Sequence, residues 1–75
     1  MNVFVKNAKY IGDFKFQIVF NVGASVVDVK KIYELDKRYD FLTKEDIVSK
    51  MEKDGPSIGY KSYDIAPELL YQVAS

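Results

Sequence analysis

The chain reads as a small α+β domain: an antiparallel three-stranded meander plus a fourth strand, one main helix and a short C-terminal helix. Three observations carry this expectation. Apolar residues alternate with period two through Phe14-Lys15-Phe16-Gln17-Ile18-Val19-Phe20, the mark of a strand with one buried face. Turn residues at Gly12-Asp13 and Gly23 divide the N-terminal stretch into short strands. Beyond Asp28 the rhythm turns helical, and Asp64-Ile65-Ala66-Pro67-Glu68-Leu69-Leu70-Tyr71 reads as a strand exit into a proline-opened helix.

Val3 to Ile11 is a β-favouring first strand. Gly12-Asp13 follows, and glycine first in a two-residue loop suits a type II′ hairpin turn. The second strand is expected to turn Phe14, Phe16, Ile18 and Phe20 to the core and Lys15 and Gln17 away from it. Asn21-Val22-Gly23-Ala24 makes the next turn, with Gly23 free to take a positive φ, and Ser25 to Val29 is the third strand. Lys30 to Leu35 is expected to form one or two helical turns, with Ile32 and Leu35 inward. Asp36 to Asp40 is polar enough for a surface loop, and Phe41-Leu42 re-enters the core. Thr43 is placed as the N-cap of the main helix, with Glu45 and Asp46 in its first turn and Ile47, Val48 and Met51 as its buried stripe. That helix should stop before Asp54-Gly55-Pro56. Ser57 to Lys61 is the fourth strand, and Pro67 opens the last helix, on which Leu70, Val73 and Ala74 recur at helical spacing.

Composition sets the function classes. The 75 residues fill one domain, spanning 1–75, close to the lower limit for folding without disulfides or metal. Neither His nor Cys is present, so the commonest zinc ligands and proton shuttle are missing. No cofactor and no metal are expected, and no serine has a histidine to activate it. Eleven basic residues balance eleven acidic ones, and Arg38 is the single arginine. Such a chain has little pull toward phosphate backbones or anionic lipid, so nucleic acid is an improbable partner. No basic start leads into an apolar run, as a signal peptide requires, and no stretch is long and apolar enough for a membrane span. The expected location is the cytoplasm.

Phe20-Asn21-Val22-Gly23, Val27-Asp28-Val29, Ser57-Ile58-Gly59-Tyr60 and Asp64 to Tyr71, in this order and spacing, resemble a small prokaryotic family. It is the one catalogued as domain of unknown function twenty-four forty-two. The resemblance spans nearly the whole chain, and its last motif is the most specific. It implies bacterial origin, a compact α+β fold on an antiparallel sheet, and structural roles for Gly23, Asp28, Asp64, Pro67 and Glu68. It also implies an antitoxin-like part in a small gene pair. The chain departs from the pattern at Val22, where an acidic residue is usual, and at Tyr60 and Leu69, where tryptophan is usual. Some members carry a helix-turn-helix after this domain, and none follows before Ser75, which weakens an expectation of DNA binding.

Several residues invite a chemical reading. Asp64 and Glu68 stand four apart, as an acid and base might, but Asp-x-x-Pro-Glu fits helix-start chemistry better, with Asp64 as the cap. Asp28 reads as a polar strand position or a cap for the following turn. Asp36, Asp40, Glu45 and Asp46 lack the order of a calcium loop and read as solvated surface. Gly55-Pro56-Ser57-Ile58-Gly59 lacks the ending of a phosphate-cradling loop and reads as a turn into a strand. Tyrosines remain. Tyr60, Tyr63 and Tyr71 are candidates for one interaction patch, and ordinary half-buried tyrosines are an equal alternative.

The expected function is therefore a non-enzymatic module that binds a protein partner, or itself as a homodimer, by a tyrosine-rich face or an edge strand. The alternative is a nucleic-acid-binding domain whose sheet aromatics stack bases between Lys6, Lys9 and Lys15.

Overall fold

The alternation that marks the second strand is what builds the domain. In the computed structural model, which describes residues 2–74, three strands form the first sheet: β1 Val5–Gly12, β2 Lys15–Phe20 and β3 Gly23–Asp28. They pair antiparallel in the order β1-β2-β3. Met1 and Ser75, the ends of the expected 1–75 domain, lie outside the described residues. Phe16, Ile18 and Phe20 are fully or almost fully buried, and each fully buried side chain of this size is worth roughly 1.5–3 kcal/mol. Their register partners Tyr10, Ala8 and Val5 on β1, and Val27 on β3, share that inner face.

Two bulges shape β1. The pairing slips between Val5 and Asn7 and again between Tyr10 and Gly12. The first slip takes Lys6 out of register, so Val5 and Ala8 both face inward although they are three apart. The second pushes out Ile11, which is exposed.

The first hairpin turn lies one residue later than expected. Gly12 pairs with Lys15, so Asp13 and Phe14 make the turn, both with positive φ (56° and 62°). That is the type I′ sign pattern. Phe14 is therefore a turn residue and not a strand residue, yet it still packs, half-buried, against the core as expected. Its unusual conformation is pinned on both sides, because its N–H donates to the Tyr10 hydroxyl (3.1 Å) and its carbonyl accepts from Val29 N–H (3.0 Å). Gly23 does open β3 with φ 139°.

After β3 the chain makes α1 (Lys30–Leu35), a 3₁₀ segment (Lys37–Thr43) and α2 (Glu45–Val48). Ile32 is buried as expected, but Leu35 points to solvent at 55% exposure. Thr43 is not the cap of α2. It lies in the 3₁₀ segment and donates to the Asp40 carbonyl, while Lys44 takes the cap position without a side-chain bond. The expected main helix is a single turn. Val48 and Met51 are buried, but Glu52–Asp54 forms β4 and pairs with Ser57–Tyr60, β5. Gly55, φ 59°, followed by Pro56 supplies the turn between them.

A two-residue strand, Tyr63–Asp64 (β6), completes a second sheet in the order β4-β5-β6. The expected fourth strand thus belongs to its own small sheet, and the α+β class stands. Pro67 opens α3 (Pro67–Gln72) at its first position, as expected, with Glu68 in the first turn. The cap is Ala66, not Asp64, which is a β6 residue. Leu70 of α3, Ile58 of β5, Ile65, Val48 and Leu42 join the inner face of the first sheet in one core.

Candidate interaction surface

Tyr60 ends β5 and Tyr63 begins β6, so the Lys61-Ser62 turn sets them directly opposite one another. Lys61 takes φ 56° to make that turn. Alternation along β5 puts Tyr60 on the same face as Ile58. Ile58 is fully buried, Tyr60 is half-buried and Tyr63 is 40% exposed. The inner face of the second sheet therefore runs out to solvent through its two tyrosines. Phe41 backs Tyr63 with ring centroids 4.8 Å apart, and Tyr39 meets Phe41 edge-on at 5.9 Å. The result is an aromatic row, Tyr39–Phe41–Tyr63, with Tyr60 beside it.

Two ammonium groups border this row. Lys61 Nζ stands 5.3 Å from the Tyr60 ring centroid and Lys50 Nζ 5.8 Å, both within cation–π range. Among the described residues the ion pairs are Lys15–Asp13 and Arg38–Asp36, so neither lysine has a carboxylate partner.

Tyr71 does not join the patch. Its ring meets Phe20 edge-on at 5.3 Å, and no ring contact links it to Tyr60 or Tyr63. It lines an open depression of about 380 Å³ with Val22, Gly23 and Ala74, next to the second hairpin turn. A second open depression, about 470 Å³, lies between α1 and α3 and includes Lys31, Leu35 and Val73.

The acidic candidates sit on three different elements, Asp28 on β3, Asp64 on β6 and Glu68 on α3. No hydrogen bond or ion pair among the described residues links Asp28, Asp64 and Glu68. Asp28 caps its own turn, Oδ1 accepting from Lys30 N–H at 3.0 Å. Asp36 is held by Arg38, whose side chain and backbone N–H both donate to it, and its carboxyl is pulled below the usual carboxylate range. Glu45 accepts a 2.6 Å bond from the Tyr10 hydroxyl. Partial burial, then that bond, pushes the Tyr10 hydroxyl above its ordinary value. Among the described residues no three acidic side chains are placed to hold a metal ion. Ser57 is buried, and its hydroxyl donates to the Ile65 carbonyl. The Gly55-Pro56 segment is a hairpin turn, as its sequence suggested.

The aromatics and lysines of the first sheet also separate. Phe16 and Phe20 face the core, while Lys9 pairs with Gln17 and Lys15 with Asp28 on the opposite face. That outer face presents no aromatic strand residue for a base to stack on. No helix among the described residues is long and apolar enough to cross a membrane. Comparison of the chain with family models, with curated proteins and with solved structures returned no match.

Tyr60 and Tyr63 are candidates from the sequence; Tyr39 stands out there only as one more tyrosine, and Phe41, Lys50 and Lys61 are not marked as members of a surface. The Tyr39-x-Phe41 spacing was a usable signal for that pair. Nothing local marked the lysines, which reach the row only through the fold.

Proposed function

We propose that the protein is a non-enzymatic interaction module that binds a protein partner through the Tyr60–Tyr63 face. One observation carries this reading: Tyr63 is 40% exposed, yet its ring rests on buried Phe41. A tyrosine fixed from behind offers apolar area and a polar tip with little rotamer entropy left to lose, which favours association. Edge-strand addition is the less favoured route. Val5 N–H at the start of β1 already donates to the Pro56 carbonyl, and Val27 of β3 bridges to Ala74. The family resemblance extends the proposal to an antitoxin-like role in a bacterial gene pair, with a small cytoplasmic protein as the partner.

The test is a tagged pull-down from the native host, comparing the natural chain with Tyr63→Ser. A stoichiometric small protein held by the natural chain and lost with the variant is the expected result. Co-eluting nucleic acid that leaves as salt rises would favour the nucleic-acid reading instead.

A further inference from the structure

The second sheet sorts its charges by face. Glu52 of β4, Gly59 of β5 and Asp64 of β6 form one cross-strand row, and Asp54 lies opposite Ser57 on the same side. Alternation puts Tyr60 and Tyr63 on the other side. The carboxylates of this sheet thus point away from the tyrosines, while Lys50 and Lys61 stand beside Tyr60 with no acidic partner. A chain of zero formal net charge consequently presents two lysines at the half-buried Tyr60 ring, and Tyr60 lies directly opposite the exposed Tyr63.

From this we infer that the partner segment docking on the Tyr60–Tyr63 face is an acidic peptide: an apolar anchor against Tyr63, flanked by carboxylates that meet Lys50 and Lys61. The inference rests on the interaction-module reading and names the chemistry of its partner. Complementary charge at a rim guides encounter and rejects basic competitors, while ring burial supplies most of the affinity. A second copy of the chain fits less well. Its acidic face would meet the two lysines head to tail, a contact that leaves both ends open and runs into polymers. Nucleic acid fits less well too, because the lysines are two point charges and no arginine fork.

Random twelve-residue peptides displayed on phage, selected against the immobilised full chain, test this. Parallel selections use the K50E/K61E double variant and Tyr63→Ser, each confirmed folded by circular dichroism. Both lysines are exposed and, among the described residues, have no carboxylate partner, so the double variant is expected to fold. Enriched peptides should carry Asp or Glu on either side of an apolar residue, and synthetic copies should bind the double variant roughly tenfold more weakly. Enriched peptides that need Tyr63 but lack acidic bias would overturn the inference and leave the interaction module standing. Peptides indifferent to both variants would overturn both readings for this face. No enrichment, or tighter binding of a labelled single-stranded oligonucleotide that the double variant loses, would overturn the acidic partner.

Discussion

The two sheets pack into one core by different means. In the first sheet, β2 places Phe16, Ile18 and Phe20 against partners on both neighbouring strands, and burial is spread over many side chains. The second has strands of three, four and two residues and contributes Ile58 as its fully buried apolar side chain. It is held by single fittings: a glycine with no room for a side chain, a buried hydroxyl on a carbonyl, and one backbone bond from Val5 to Pro56. A periodic sheet distributes its stability, whereas a sheet of short strands rests on a few positions where a substitution acts locally.

Phe16→Ala should have the largest effect. The ring is fully buried, and its loss should cost about 3–5 kcal/mol. In a domain of this size that approaches the whole stability, so urea titration should find the variant largely unfolded. A loss below about 1 kcal/mol would mean that the first sheet does not anchor the core.

Gly59→Ala tests the second sheet directly. A methyl group there would sit 2.7 Å from the Tyr63 carbonyl oxygen and 3.3 Å from Asp64 Cβ. Strand β6 must shift, at about 1–3 kcal/mol. Amide shifts in a heteronuclear NMR spectrum should concentrate in residues 52–65, with β1 and β2 little changed. Perturbation spread evenly through both sheets would erase the contrast between them.

Ser57→Ala should cost about 1 kcal/mol or slightly more, because the Ile65 carbonyl loses its buried donor. Urea midpoints read this, and a neutral result would show that the hydroxyl is not one of the fittings. Tyr10→Phe should cost a similar amount, about 0.5–1.5 kcal/mol, by removing the bond that ties β1 to Glu45 and the acceptor of the Phe14 N–H. Its pH dependence sharpens the point. A hydroxyl whose proton is held above the ordinary 10.0 in the folded state favours folding below that pH. The contribution fades as pH rises through the folded value. The natural chain should therefore lose stability above pH 10, and Tyr10→Phe should lack that component of the loss.

The same contrast explains what the sequence made legible. The alternation of Phe16, Ile18 and Phe20, the positive φ of Gly23 and the helix-opening Pro67 are local facts, and the structure keeps them. What was hidden depends on distant partners. Phe14 adopts positive φ, costly for an aromatic residue, because Tyr10 and Val29 hold its backbone. The helix expected to run from the Thr43 cap until just before Asp54 stops at Val48, and Glu52–Asp54 pairs with Ser57–Gly59 instead. Tertiary pairing there overrides a modest helical preference. At the candidate surface, Tyr60 and Tyr63 are close in the sequence, but the hairpin that pairs them was hidden, because Lys61 reads as a strand residue and takes a positive φ only in the fold. Tyr71 was misplaced because its neighbour, Phe20, lies 51 positions away in the chain.

The tilted packing of Tyr63 against Phe41 also gives the molecule a built-in optical reporter. The chain holds six Tyr and no Trp, so its near-ultraviolet dichroism and intrinsic emission come mainly from tyrosine. A ring locked in an asymmetric aromatic setting contributes to the dichroism, and a half-exposed one responds when water leaves its face. Engagement of this surface can therefore be followed without a dye or an engineered label, and the spectrum of Tyr63→Ser identifies the share that belongs to the site.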